Sequence, residues 1–232
     1  MKTIGLIGGM SWESTAEYYR IINEEVQRRL GGLHSAKCFL YSVDFSEIEQ
    51  MQATGEWEQA GRLLGEAAHS LEKAGADFIV ICTNTMHKVI DQIEERINIP
   101  ILHILDATAT QIEKAGINKV GLLGTKYTME QDFYKSRLIA NNLEVMVPES
   151  QEREMINNII FEELCLGRIE RSSKEYYKQV IQKLVEAGAE GIILGCTEIE
   201  LLIKPEDVEI PLFNTTEIHA KEAVNFALKQ GT

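Results

Sequence analysis

Gly191-Ile192-Ile193-Leu194-Gly195-Cys196-Thr197-Glu198 is the stretch on which the reading of the fold turns. A short apolar run bounded by glycines has the length of a strand buried on both faces, as in a parallel sheet. It ends on a cysteine, placed where strand gives way to turn. A polar, nucleophilic side chain at that edge is a common way for an α/β sheet to present chemistry. A small packed core thiol is the other reading of a lone cysteine there. Thr197-Glu198-Ile199-Glu200 fits the S/T-x-x-E capping box, so a helix is expected to begin at Thr197. The orphan N–H groups and dipole of such a helix would favour thiolate at Cys196.

Working outward, the same pattern occurs earlier in the chain. Ala74-Gly75-Ala76-Asp77-Phe78-Ile79-Val80-Ile81 matches Ala187-Gly188-Ala189-Glu190-Gly191-Ile192-Ile193-Leu194 at an offset of 113. Ile4-Gly5-Leu6-Ile7-Gly8-Gly9 matches Val120-Gly121-Leu122-Leu123-Gly124-Thr125 at 116, and Ile99-Pro100-Ile101-Leu102 matches Ile210-Pro211-Leu212-Phe213 at 111. The economical account of three matches in one order is two similar α/β halves of about 100 residues each, an ordinary domain size, with a duplicated single-domain sheet as the other reading. The expected boundaries are residues 1–104 with 213–232 for the first domain and 105–212 for the second. At the offset of 113, Cys196 falls on Thr83, whereas Cys82 falls on Gly195. Neighbouring side chains of an extended strand point to opposite faces, so if Thr83 faces the site Cys82 points into the core.

Between these anchors apolar runs alternate with helical patterns, the signature of parallel α/β units. Strands are expected near 3–7, 38–42, 78–81, 101–102, 120–123, 144–147, 192–194 and 212–213. Helices are expected near 14–30, 57–74, 86–97, 107–115, 129–140, 152–166, 172–187 and 219–229. The first residues, Met1 to Gly8, read as a strand and hold too short an apolar segment for a signal peptide. No run approaches the roughly 18 apolar residues of a membrane span.

A net charge of −13 without a Lys/Arg cluster argues against nucleic acid as partner. Cys38, Cys82, Cys165 and Cys196 form no C-x-x-C pair, which suggests neither a zinc site nor a disulfide framework and fits a reducing cytoplasm. Thr83-Asn84-Thr85-Met86-His87 offers hydroxyl, amide and backbone N–H groups at a strand-to-helix turn, suited to a carboxylate, with ordinary N-capping by Asn84 or Thr85 as the plainer role. Gly8-Gly9-Met10-Ser11 and Gly124-Thr125 are further tight turns able to bring backbone donors to an anion. None fits G-x-G-x-x-G or a P-loop, so neither NAD nor ATP is inferred. His34, His69, His103 and His219 read as surface or satisfied core residues; His87 stands apart because it lies one helical turn from Asn84. Glu198 reads equally as a proton relay for Cys196 and as solvent-facing charge.

Together, Leu6-Ile7-Gly8-Gly9-Met10, Asn84-Thr85-Met86-His87, Leu123-Gly124-Thr125 and Gly195-Cys196-Thr197-Glu198 resemble the aspartate/glutamate racemase family over essentially the whole chain. Gly9-Met10-Ser11-Trp12-Glu13-Ser14 and Cys82-Thr83-Asn84-Thr85-Met86-His87 are similar to its L-aspartate/glutamate-specific members. The resemblance implies two Rossmann-like domains with parallel sheets, related by a pseudo-twofold, with the active site in the cleft between them. It also implies a homodimer, a small acidic amino acid as substrate, and no cofactor, neither pyridoxal phosphate nor metal. The chemistry it implies is two-base: one group takes the α-proton from one face of the amino acid and a second returns a proton to the other.

Most members carry cysteine at both catalytic positions; here the first is Thr83. A threonine hydroxyl is a far weaker acid than a thiol, so the two faces are not equivalent. The expectation is that Cys196 abstracts the α-proton of the L enantiomer and Thr83 serves the opposite face as proton donor, which gives a kinetic preference for the L enantiomer. Met10, Ser11, Asn84, Thr85, Thr125 and Thr197 match family positions that line the site or hold the α-carboxylate and amino group. Archaeal members grip the distal carboxylate with arginine and lysine, whose counterparts lie near Ile48 and Cys165 and are not basic. Gln52 is the first substitute, then Lys126 and Arg168. Two other functions stay open on sequence: a carboxylate-binding paralogue without turnover, and a related cysteine decarboxylase or isomerase of dicarboxylates.

Overall fold

The computed structural model describes residues 1–229, and the chain divides into two compact units, Met1–Ile104 with His219 onward and Leu105–Ile218. The first runs β1 (Ile4–Gly8), α1 (Trp12–Leu30), β2 (Cys38–Ser42), α2 (Phe45–Thr54), α3 (Trp57–Ala74), β3 (Phe78–Ile81), a 3-10 turn (Thr85–Val89), α4 (Ile90–Glu94) and β4 (Ile101–Leu102). The second runs α5 (Ile104–Lys114), β5 (Lys119–Gly124), α6 (Lys126–Glu130), α7 (Asp132–Ala140), β6 (Glu144–Met146) and α8 (Ser150–Glu162). It continues through a 3-10 turn at Leu164–Leu166, α9 (Arg171–Glu186), β7 (Gly191–Gly195), α10 (Ile199–Leu202) and β8 (Leu212–Asn214). The last helix, α11 (Thr215–Leu228), carries the chain back to the first unit. Among the described residues no helix is long and apolar enough to cross a membrane.

Each unit holds one four-stranded parallel sheet, ordered β2-β1-β3-β4 in the first and β6-β5-β7-β8 in the second. The repeat therefore has a structural counterpart. Ile7 pairs with Ile81 in one sheet and Leu123 with Leu194 in the other, the same step under the offsets of 116 and 113. The second unit extends to Ile218 instead of 212, because β8 pairs with β7 as far as Asn214.

The central strands β1, β3 and β7 are buried throughout, as their unbroken apolar runs require. In the first unit alternate residues feed two cores. Ile4, Leu6, Phe78, Val80 and Cys82 pack with α1 and with Ala220, Ala223 and Val224 of α11. Ile7, Ile79 and Ile81 pack on the other face, with Ile48 and Met51 of α2 and Leu64, Ala67 and Ala68 of α3.

Three expectations need correction. The helix expected over 86–97 is a 3-10 turn followed by the short α4, and Asn84 at its start makes no side-chain cap bond. The helix expected over 129–140 is two, α6 and α7, broken at Gln131. The helix expected from Thr197 begins at Ile199, spans four residues and has no side-chain cap.

Candidate active site

In a sheet of order 2-1-3-4 the switch point lies between the first and third strands, and ligands bind outside the carboxyl ends there. Thr83 lies two residues beyond the end of β3, and Cys196 immediately follows β7, its counterpart in the other sheet. The two residues thus hold corresponding places, each beside the switch point of its own unit.

In the second unit, Cys196 Sγ donates to Glu198 Oε2 at 3.0 Å, and Thr197 Oγ1 donates to the same oxygen at 2.6 Å. Thr197 and Glu198 are buried, while Cys196 keeps part of its surface open. The helix-dipole expectation fails here: the thiol pKa is raised well above the ordinary range. Burial is the main cause, followed by the negative charge of Glu198 and the nearness of Cys165. A one-turn α10 supplies too little dipole to oppose these, and the hydroxyl expected to cap it is spent on Glu198. Two buried phenols, Tyr134 and Tyr177, also lie within electrostatic reach of Cys196; their pKa values are raised, chiefly by burial. Neither tyrosine carries a sequence signal that points to Cys196, and Cys165 enters its surroundings only through the fold. They come from α7, α9 and the turn after α8, so no local motif joins them to Cys196.

Since Gly124 pairs with Gly195, the turn carrying Thr125 lies beside the one carrying Cys196. Thr125 caps α6, its Oγ1 accepting from Thr128 N–H at 3.4 Å. Lys126 is exposed, its ammonium 5.3 Å from the Tyr127 ring centroid, and exposed Arg168 donates to the Glu162 carbonyl.

In the first unit, Thr83 is partly exposed and its carbonyl is held by His87. Ile104 N–H donates to His87 Nε2 at 3.3 Å, so that nitrogen carries no proton and Nδ1–H donates to Thr83 O at 2.9 Å. The tautomer of His87 is thereby fixed, and the ring ties the Thr83 backbone to the end of β4. Behind it stand His103, 4.6 Å away centroid to centroid, and His219 at 5.8 Å. His219 Nε2–H donates to the Leu102 carbonyl at 2.9 Å, and Tyr18 OH donates to Nδ1 at 2.8 Å. Burial lowers its pKa to about 4, so the ring is neutral. Among the described residues no three His, Cys, Asp or Glu side chains are grouped as metal ligands.

Cys82 is fully buried in the core with Tyr18, Ile22 and Val80, and burial raises its pKa far above the thiol range. Asn84 and Thr85 are buried beside Thr83. Ser11 caps α1, accepting from Ser14 N–H at 3.3 Å, and Met10 is buried next to it. Gly9 N–H donates to Thr15 Oγ1 at 2.8 Å, so this turn donor is used internally. Gln52 on α2 is buried, with its amide N–H directed at Met86 Sδ, 3.0 Å away. His34 and His69 are exposed. A surface pocket of the second unit, lined by Lys178, Gln182 and Ile210, opens near the amino end of β7 and holds none of the predicted residues.

Two matching four-stranded parallel sheets define a duplicated α/β protein, and the Asp/Glu/hydantoin racemase family model matches residues 7–223. The chain belongs to that family, and thus among isomerases. It is similar to a putative Asp/Glu racemase from Yersinia pestis, 58% identical over 99% of this chain and 100% of that one, with a TM-score of 0.93. It is also similar to PH1733, an aspartate racemase homologue from Pyrococcus horikoshii OT3, with 42% identity, coverage of 99% and 100%, and a TM-score of 0.85. The broad specificity amino-acid racemase RacX of Bacillus subtilis (strain 168) is 23% identical over 96% of both chains.

Proposed function

We propose that the chain is a cofactor-independent racemase of acidic amino acids, aspartate or glutamate, in which Cys196 takes the α-proton and Thr83 serves the opposite face. The observation that carries the reading is the Cys196 thiol donating to Glu198 at 3.0 Å, beyond β7, where the matching place beyond β3 holds Thr83. Glu198 accepts the thiol proton, and the thiolate removes the α-hydrogen of the L enantiomer while the C–H electron pair stays on Cα. The Thr83 hydroxyl then gives its own proton to the other lobe of the carbanion and recovers one from solvent, while Glu198 releases to solvent the proton it took, leaving Cys196 as the thiol. A raised thiol pKa suits the task, since a stronger conjugate base narrows the gap to a weakly acidic C–H.

Asn84, Thr85, Thr125 and Thr197 are assigned to the substrate's α-carboxylate and amino group, the Met10-Ser11 turn to the lining of the site, and Gln52 to the distal carboxylate. Use of Gln52 requires its amide to turn from Met86, where it now rests. The chain acts as a homodimer in the cytoplasm, a placement supported by its four free cysteines.

In this scheme the preference for L has a thermodynamic limit. Enantiomers have equal free energy in water, so kcat/KM must be the same in both directions. The bias therefore appears as α-proton exchange on the Cys196 side that outruns inversion. Chiral chromatography after incubation with L-aspartate or L-glutamate tests the assignment. Wild type forms the D enantiomer, Cys196→Ala does not, and Thr83→Cys inverts faster. Turnover that survives Cys196→Ala refutes it, and specific amino-acid binding with neither inversion nor exchange identifies a binding paralogue.

A further inference from the structure

The open edge of the first sheet points to a partner. Among the described residues β2 pairs only with β1, and it is exposed along most of its length, with Phe39 at 41%, Leu40 at 50% and Tyr41 at 41% exposure. Its five residues, Cys38-Phe39-Leu40-Tyr41-Ser42, include no charge, proline or glycine, and nothing else that ordinarily guards an edge against pairing. The register with β1 sets Phe39 and Tyr41 on the face of Gly5 and Ile7, and Leu40 on the face of Leu6.

The backbone has a direction as well. Ile4 N–H donates inward to the Lys37 carbonyl, and Val43 N–H donates inward to the Gly8 carbonyl. A parallel ladder alternates, so Phe39 and Tyr41 also bond inward, while Cys38, Leu40 and Ser42 turn N–H and C=O to the uncovered side.

We infer that this edge pairs antiparallel with the same edge of a second copy of the chain, about a twofold axis at Leu40, joining the two β-sheets into one. The strand is complementary to itself. With Leu40 opposite Leu40, the outward-bonding residues meet in step, Cys38 with Ser42 on either side, giving about six N–H···O bonds in all. On one face Phe39 lies opposite Tyr41 twice, an aromatic cross-strand pair, and on the other leucine meets leucine. A register shifted by one residue would set inward-bonding positions at the seam and lose every bond. No charge has to be buried, so a chain of net charge −13 can still associate here. The inference deepens the proposed homodimer by assigning its contact, and it does not depend on the chemistry of Cys196.

Sedimentation equilibrium and light scattering on the full chain test it, with Leu40→Lys, which sets two ammonium groups face to face, and Leu40→Pro, which removes a central donor at a site where the inward ladder needs none. Ile139→Lys changes another exposed apolar residue, in the second unit, and is the control. The expected result is wild type and Ile139→Lys at twice the 26.2 kDa chain mass and both Leu40 variants at the single mass with an unchanged circular dichroism spectrum. Hydrogen exchange on the wild type gives the same answer without substitutions: the amides of Cys38, Leu40 and Ser42 slow as concentration rises through the dimerisation range. A wild type of single mass overturns both the dimer and its contact. Dimeric Leu40 variants, or amides that exchange at the same rate at every concentration, overturn the contact alone.

Discussion

Cys196 and its carboxylate neighbour form a unit whose two members pull against each other. The negative charge of Glu198 opposes thiolate, yet Glu198 is also the acceptor toward which the thiol proton points. Removing that charge separates the roles. Glu198→Gln is expected to shift Cys196 alkylation by iodoacetamide, followed by peptide mass spectrometry, to lower pH, and to slow α-proton exchange through loss of the proton acceptor. An unshifted alkylation profile would mean that burial and Cys165 set the thiol without Glu198. In the first unit His219 supplies a second residue-level expectation. Its pKa is lowered from 6.5 to about 4 by burial, so from pH 6.5 down to 4 the unfolded chain takes up a proton that the folded chain refuses. Stability is complete above about pH 6.5 and falls as pH drops toward 4, by about 3 kcal/mol in total. Urea melts between pH 7 and 4.5 should show that loss, with a shallower slope for His219→Gln.

At the scale of elements, the turn after β1 is the least forgiving. Gly9 has φ of +92°, and a Cβ there would stand 2.2 Å from the Val43 carbonyl oxygen, which is backbone and cannot swing aside. Gly9→Ala is expected to cost about 2 kcal/mol or more, read as a lower urea midpoint. The strands were legible in the sequence because each is an apolar run of strand length, and β2, β3 and β4 have the bounds expected. Helices were legible where one amphipathic stripe ran unbroken, as in α1 and α3. They were misjudged where the chain changes its winding, at Thr85–Val89, or stops at once, at α10. The segment of α2 went unassigned although Asp44 caps it and Gly55 ends it. Of the candidate site, the corresponding places of Thr83 and Cys196 followed from the repeat. Tyr134, Tyr177 and Cys165 did not, since tertiary folding alone brings them toward Cys196, and the tautomer of His87 depends on an N–H seventeen residues away.

For the whole molecule, the proposed scheme, with a thiol on one side and a hydroxyl on the other, makes the two halves of the reaction unequal without moving its equilibrium. Reactions begun from L- and from D-aspartate or glutamate should converge on equal amounts of the enantiomers. A stable excess of either would show that the reaction is not racemisation alone. Net charge adds a long-range effect. At −13 the protein repels an anionic amino acid, so kcat/KM should rise with added salt in the low-salt range as screening sets in. A fall would indicate a local positive field strong enough to outweigh the whole.

Nuclear magnetic resonance of L-aspartate and L-glutamate in D2O tests the central assignment of Cys196 most directly. With wild type the Cα–H signal of the L enantiomer should vanish faster than the D enantiomer accumulates. Cys196→Ala should slow that loss about a thousandfold, and Cys82→Ala should leave it near the wild-type rate. Exchange that survives Cys196→Ala and is abolished by Cys82→Ala would contradict the account.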